Sequence, residues 1–119
     1  MKIVLIEDDE MLRKSLAFFL RNNDYNIEDF DNGSDAMNYI EENNSAIDLI
    51  ITDLNLPFVS GKQIVHNTKK TNSSIKVIVL TSLSVESSEV ELFELGADDF
   101  IGKPFSPQVL LKRIEKVMR

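Results

Sequence analysis

The sequence predicts a doubly wound α/β domain in which five parallel strands alternate with five helices. Two patterns carry that prediction. Short runs of consecutive apolar, mostly β-branched residues recur along the chain, and segments with a helical apolar period fill the gaps between them. This spacing fits right-handed β-α-β crossovers, which bring parallel strands together beneath helices on both faces. Length adds a third constraint, because 119 residues are enough for one domain, 1–119, with a single core.

Ile3-Val4-Leu5-Ile6 is the first strand, apolar at every position as a strand covered on both faces must be. Leu12, Leu16, Phe19 and Leu20 follow at helical spacing and make the first helix, with Asp9 placed to cap it. Asn26 to Phe30 is a weaker second strand. Ala36, Met37 and Ile40 form one face of the second helix, with Ser34 after Gly33 as its expected cap. Leu49-Ile50-Ile51 is the third strand, and Ile64 and Val65 mark a short-patterned third helix in which His66 is a surface or boundary residue. Val77-Ile78-Val79-Leu80 is the fourth strand. Val85, Ser88, Leu92 and Leu95 mark the fourth helix, stopped by Gly96. Asp98 and Asp99 then read as a turn, and Phe100-Ile101 as a brief fifth strand. Leu110, Leu111, Ile114, Val117 and Met118 define the fifth helix, with Pro107 in its first turn. Five such units suit the flavodoxin-like strand order 2-1-3-4-5, whose ligands sit beyond the carboxyl ends of the strands where the order reverses.

That rule says where chemistry belongs. Glu7, Asp8 and Asp9 follow the first strand, Asp53 ends the third, Thr81 and Ser82 end the fourth, and Lys103 follows the fifth. Carboxylates from neighbouring strands, a hydroxyl and one lysine therefore meet at one mouth. Like charges about 4–6 Å apart repel by several kcal/mol even at an effective dielectric near 20, so a cation is the natural occupant. Oxygen-only ligands select a hard ion, Mg²⁺ or the similar Mn²⁺.

Composition removes other classes. Thirteen basic against 20 acidic residues leave a net charge of −7, so this domain alone is no nucleic-acid binder. The absence of cysteine excludes disulfides, thiolate zinc sites and thiol catalysis, and a single histidine leaves no His-rich metal site. Apolar residues at 43% argue for a folded, non-membrane protein, and with no signal or spanning segment the expected location is cytoplasmic.

Four stretches, in order and at family spacing, resemble the receiver domain of two-component response regulators: Ile3 to Asp8, Ile51 to Pro57 with Gly61, Val79 to Ser82, and Gly96 to Phe105. The resemblance covers essentially the whole chain. The resemblance implies a phosphoacceptor module that takes a phosphoryl group on Asp53 from a sensor histidine kinase or phosphotransfer protein. It also implies Mg²⁺ held by Asp8, by Glu7 through a water, by Asp53 and by the carbonyl of Asn55. Lys103 and the Thr81 hydroxyl would meet phosphate oxygens, Phe100 would be the switch aromatic, and Ser82 would keep access open. The Lys103-Pro104 bond is implied to be cis. Ser60 replaces a frequent acid before Gly61, outside the pocket.

The resemblance leaves output open: an N-terminal receiver of a longer DNA-binding transcriptional regulator, or a docking domain independent of phosphorylation. Two enzyme-like or cofactor-binding readings are weaker. A haloacid-dehalogenase-type phosphatase needs an acid two residues after its nucleophile, where this chain has Asn55. A flavodoxin-like cofactor binder needs a phosphate-cradling loop where this chain has three acids. Dimers of related regulators use the fourth helix, fifth strand and fifth helix. Here Asp99 and Arg113 keep one charge pair for that surface, but Glu89 and Val109 break another and Glu94 would face Glu115, so a weak homodimer is expected.

Overall fold

The structure is a computed structural model that describes residues 1–82 and 86–119, with the side chains of 86–89 outside the description. Five strands, β1 (Lys2–Ile6), β2 (Asn26–Phe30), β3 (Leu49–Asp53), β4 (Lys76–Thr81) and β5 (Asp99–Gly102), form one parallel sheet in the order β2-β1-β3-β4-β5. The helices are α1 (Glu10–Arg21), α2 (Gly33–Asn43), α3 (Gly61–Thr71), α4 (Glu86–Leu95) and α5 (Pro107–Val117), with a 3₁₀ turn at Asn44–Ala46.

Because successive side chains of a strand point to opposite faces, the continuous apolar runs feed a core layer on each face of the sheet, rather than the single core that length alone suggested. Val4, Ile6, Ile50, Val77 and Val79 pack with Ile40, Ile64 and Leu92 from the helices of one face. Ile3, Leu5, Leu49, Ile51, Ile78 and Leu80 pack with Leu16, Leu20, Leu110 and Ile114 on the other. Each such side chain taken from water contributes about 1.5–3 kcal/mol, which is why β1, β3 and β4 lie at the centre. Strand β2 buries only Ile27 and leaves Glu28 and Asp29 part-exposed, as suits an edge strand.

Capping accounts for the helix starts. Asp9 accepts from Leu12 N and begins α1. Ser60 and Gln63 form a reciprocal capping box at α3, and Ser106 with Pro107 begins α5. The second helix corrects one expectation. Asn32, not Ser34, is its cap, accepting from Asp35 N at 2.8 Å, and Gly33 is already helical. A Cβ on Gly33 would lie 2.6 Å from the Val59 carbonyl oxygen, so glycine lets this helix start against the β3–α3 loop. A second correction concerns Asp99, which opens β5 rather than completing a turn. Val85, read as part of the fourth helix, lies outside the described residues, as do the side chains of Ser88 and Glu89. Gly96, at φ +107°, ends α4 in the left-handed region.

Candidate functional site at the carboxyl end of the sheet

β1 and β3 are neighbours in register, with Ile6 opposite Thr52, so the residues that follow Ile6 emerge beside Asp53. One carboxylate oxygen from each of Glu7, Asp8 and Asp53 can be chosen so that all three lie within 4.8 Å of one another. Glu7 and Asp53 are buried and Asp8 is exposed, which leaves the cluster open to solvent on one side. All the donors are hard oxygens, and their spacing fits one small divalent cation with room for water. The residues present therefore suit Mg²⁺ or Mn²⁺.

Lys103 arrives from β5. Its backbone N–H donates to the Thr81 carbonyl at 2.7 Å, which anchors the lysine at the end of β4. Its Nζ donates to Glu7 Oε1 and stands 3.4 Å from Asp53 Oδ1. The Lys103–Pro104 peptide is cis, as the family resemblance implied. Sequence reading brought Lys103 to the carboxylates of the mouth but did not single out its closer contact with Glu7. Burial raises the Glu7 carboxyl above the ordinary glutamate range; the Lys103 ammonium and the Asp9 N–H pull it down without cancelling that rise, and the Asp53 charge adds to it. Burial by itself would lower Lys103, but the Glu7 and Asp53 carboxylates outweigh it and raise the ammonium's pKa.

The loop after Asp53 is built close to the Asp53 backbone. Leu54 N–H donates to the Leu80 carbonyl and Gly61 N–H to the Leu54 carbonyl, both at 2.9 Å. A Cβ on Gly61 would lie 2.5 Å from the Asp53 carbonyl oxygen and 2.7 Å from Leu54 Cα, so α3 can begin this close only with glycine. Asn55 is exposed in this loop. Thr81 is buried at the end of β4 and Ser82 is exposed beside it. Phe100 is part-buried on β5 with its ring centroid 4.8 Å from that of Phe93. His66 is exposed on α3, away from the mouth.

Asp99 and Arg113 do meet, but within one chain: Arg113 Nη1 donates to both Asp99 carboxylate oxygens at 3.0 Å and to the Phe100 carbonyl at 3.3 Å. Glu115 faces Lys112 at 3.5 Å in its own helix.

A carboxylate cluster that could hold a cation, at the switch point of a (βα)5 sheet and with a lysine opposite, is the arrangement expected of a receiver-type module. Comparison with known proteins agrees. Residues 3–115 match the response regulator receiver domain, and the chain belongs to that family. It is 34% identical over 118 residues, 99% of this chain, to the transcriptional regulatory protein SrrA of Staphylococcus aureus. The chain spans about half the length, 48%, of that relative. Among solved structures, a response regulator receiver domain from Clostridium thermocellum superposes with a TM-score of 0.92 at 26% identity, covering 98% of this chain and 93% of that one. The non-phosphorylated HemR receiver domain from Leptospira biflexa gives 0.90 at 34% identity, again covering 98% and 93%. Receiver domains are signalling modules of two-component systems, not catalysts of a metabolic reaction. Among the described residues no helix is long and apolar enough to cross a membrane.

Proposed function

We propose that residues 1–119 form a phosphorylation-controlled switch in which Asp53 accepts a phosphoryl group from a phosphohistidine of a sensor histidine kinase or phosphotransfer protein. The observation that carries this reading is the cluster of Glu7, Asp8 and Asp53 within 4.8 Å beside Lys103. In the transfer, an Asp53 carboxylate oxygen bonds to phosphorus as the phosphorus–nitrogen bond to the donor imidazole breaks, and that nitrogen leaves with its electron pair. Asp8, Asp53, the Asn55 carbonyl and Glu7 through water would hold Mg²⁺, with Mn²⁺ as a substitute. A cation there supplies neutralisation of the charge on the transferring oxygens. Lys103, already between Glu7 and Asp53, turns to a phosphate oxygen, and the Thr81 hydroxyl donates to another. Ser82 leaves the approach clear.

Movement of Thr81 frees space toward Phe100, whose turn inward separates it from Phe93 and reshapes the surface of α4, β5 and α5. That surface would present a weak homodimer contact, and the output would be transcriptional, through a DNA-binding segment of a longer cytoplasmic regulator; the similarity to SrrA, a transcriptional regulatory protein, supports a transcriptional output. The test is intact-mass analysis after incubation with Mg²⁺ and acetyl phosphate. The wild type should gain one acid-stable, base-labile phosphoryl group and Asp53→Asn none; undiminished phosphorylation of Asp53→Asn rejects the assignment.

A further inference from the structure

One part-buried cation near the mouth belongs to none of the roles above. Arg13 lies on α1, and its side chain is only 12% exposed although it carries a full charge. Its Nη1 donates to the backbone carbonyl of Glu7 at 3.2 Å, and its Nε donates to Asp29 Oδ2 on β2 at 3.1 Å. The other Asp29 oxygen accepts from Arg21 Nη2 at 3.2 Å, and Arg21 also donates to the Ile27 carbonyl. Asp29 is therefore gripped by two arginines, but only Arg13 reaches the β1–α1 loop.

Residues Glu7 to Asp9 form the only covalent path from β1 to α1, and the peptide between Glu7 and Asp8 fixes where both acidic side chains start. Bonds along that path include the Glu7 N–H to the Phe30 carbonyl at 3.0 Å, the Asp9 N–H to Glu7 Oε2 at 3.2 Å, the backbone Arg13 N–H to the Asp9 carbonyl at 2.9 Å, and the Arg13 guanidinium to the Glu7 carbonyl. The first two use groups on either side of that peptide. Arg13 alone among these partners holds its carbonyl, and Asp29 holds the guanidinium in turn. Bringing Asp8 toward Glu7 and Asp53 is electrostatically uphill without a cation, so the backbone that carries Asp8 must resist being pushed outward. The guanidinium also adds positive charge beside the Glu7 backbone, where it meets Asp29 of β2. Its planar fork bonds two partners at fixed angles, which an ammonium on a flexible stem does not do.

We propose that Arg13 is a positioning residue for the cation site: held by Asp29, it fixes the Glu7–Asp8 peptide so that the carboxylates are preorganised for Mg²⁺. The inference rests on the function proposed above, because it assumes that the cluster binds this ion.

Calorimetric titration of Mg²⁺ into the unphosphorylated protein tests it, with melting temperature measured alongside. Outer partners of metal ligands commonly contribute about tenfold or more to affinity, so Arg13→Ala should weaken Mg²⁺ binding about tenfold. Arg13→Lys, which retains charge and stem packing, should weaken it less but measurably, and it keeps the test decisive if the alanine variant does not fold. Arg21→Ala removes the second grip on Asp29 without touching Glu7, so it should lower the melting temperature and leave Mg²⁺ affinity unchanged. Wild-type affinity in folded Arg13→Lys, or an equal loss of affinity in Arg21→Ala, overturns the positioning role while wild-type binding keeps the metal site. Absence of Mg²⁺ binding by the wild type overturns the site itself and the inference with it.

Discussion

The mouth of the sheet and the surface of α4, β5 and α5 handle charge in opposite ways. At the mouth, Glu7 and Asp53 are buried and join Asp8 in one cluster with one ammonium, Lys103, between them. On the other surface two acids have partners in the same chain, Asp99 with Arg113 and Glu115 with Lys112, while Val90, Phe93 and Val109 stand exposed. Charges are thus crowded where desolvation makes them costly and paired where solvent makes pairing worth little. On the proposed function, the first arrangement would be relieved by an ion or altered by a phosphoryl group. The second exposes apolar area whose use by a partner requires the Asp99–Arg113 pair to open or exchange.

The difference can be broken at the mouth first. Gly61→Ala forces a Cβ into the backbone of Asp53 and Leu54, with contacts of 2.5 and 2.7 Å, so it should cost about 1–3 kcal/mol. Urea unfolding measures that cost, and the displaced Asp53 should also be phosphorylated more slowly. Asp53→Ala has the opposite sign in metal-free buffer. Removing one buried like charge while Glu7 keeps Lys103 should raise stability on the order of 1 kcal/mol. Mg²⁺ should raise the melting temperature of the wild type by binding the folded state and do so far less in this variant. A clearly less stable metal-free Asp53→Ala would contradict the account of the mouth.

Glu7 gives the mouth a pH signature. Its folded pKa lies above the ordinary value of 4.5, so the folded form binds its proton more tightly than the unfolded chain does. The resulting stability is fully present below about 4.5 and is lost as pH rises through the folded pKa. Relative to Glu7→Gln, the metal-free wild type should therefore lose stability as pH rises above about 4.5, read from melts across an acid-to-neutral series. On the other surface the effects are smaller. Arg113→Ala removes a two-fifths-exposed guanidinium from a carboxylate that is 17% exposed, so after solvent screening it should cost below about 1 kcal/mol. Its larger consequence is for association: sedimentation of the activated protein should show a weak dimer, weakened further by Arg113→Ala and strengthened by Glu115→Lys. A tight dimer of the unmodified sequence, indifferent to Arg113→Ala, would place the contact on another surface.

What was legible in the sequence follows the same division. β1, β3 and β4 were plain because strands buried on both faces leave no polar position to confuse the pattern. β2 and β5 were weak because edge strands carry charge, and Asp99 read as a turn residue for that reason. The start of α2 was misplaced because Asn32 and Ser34 are both capping residues, and the fit of Gly33 against Val59 exists only in three dimensions. Glu7, Asp8 and Asp53 were found because the topology rule brings strand ends together. The Lys103–Glu7 contact, 96 residues apart in the chain, has no local signal. Arg13 had one that went unused: it shares a helical stripe with buried Ala17 and Leu20, where a charge needs partners.

The central claim is that the crowded mouth is a cation-assisted phosphoacceptor centred on Asp53. Borohydride reduces an acyl phosphate of aspartate to homoserine, so a peptide map after phosphodonor treatment locates the modified residue directly. The account predicts homoserine at position 53 when Mg²⁺ is present and very little when it is chelated. Homoserine at another acidic residue, or an equal yield at position 53 without the ion, would contradict it.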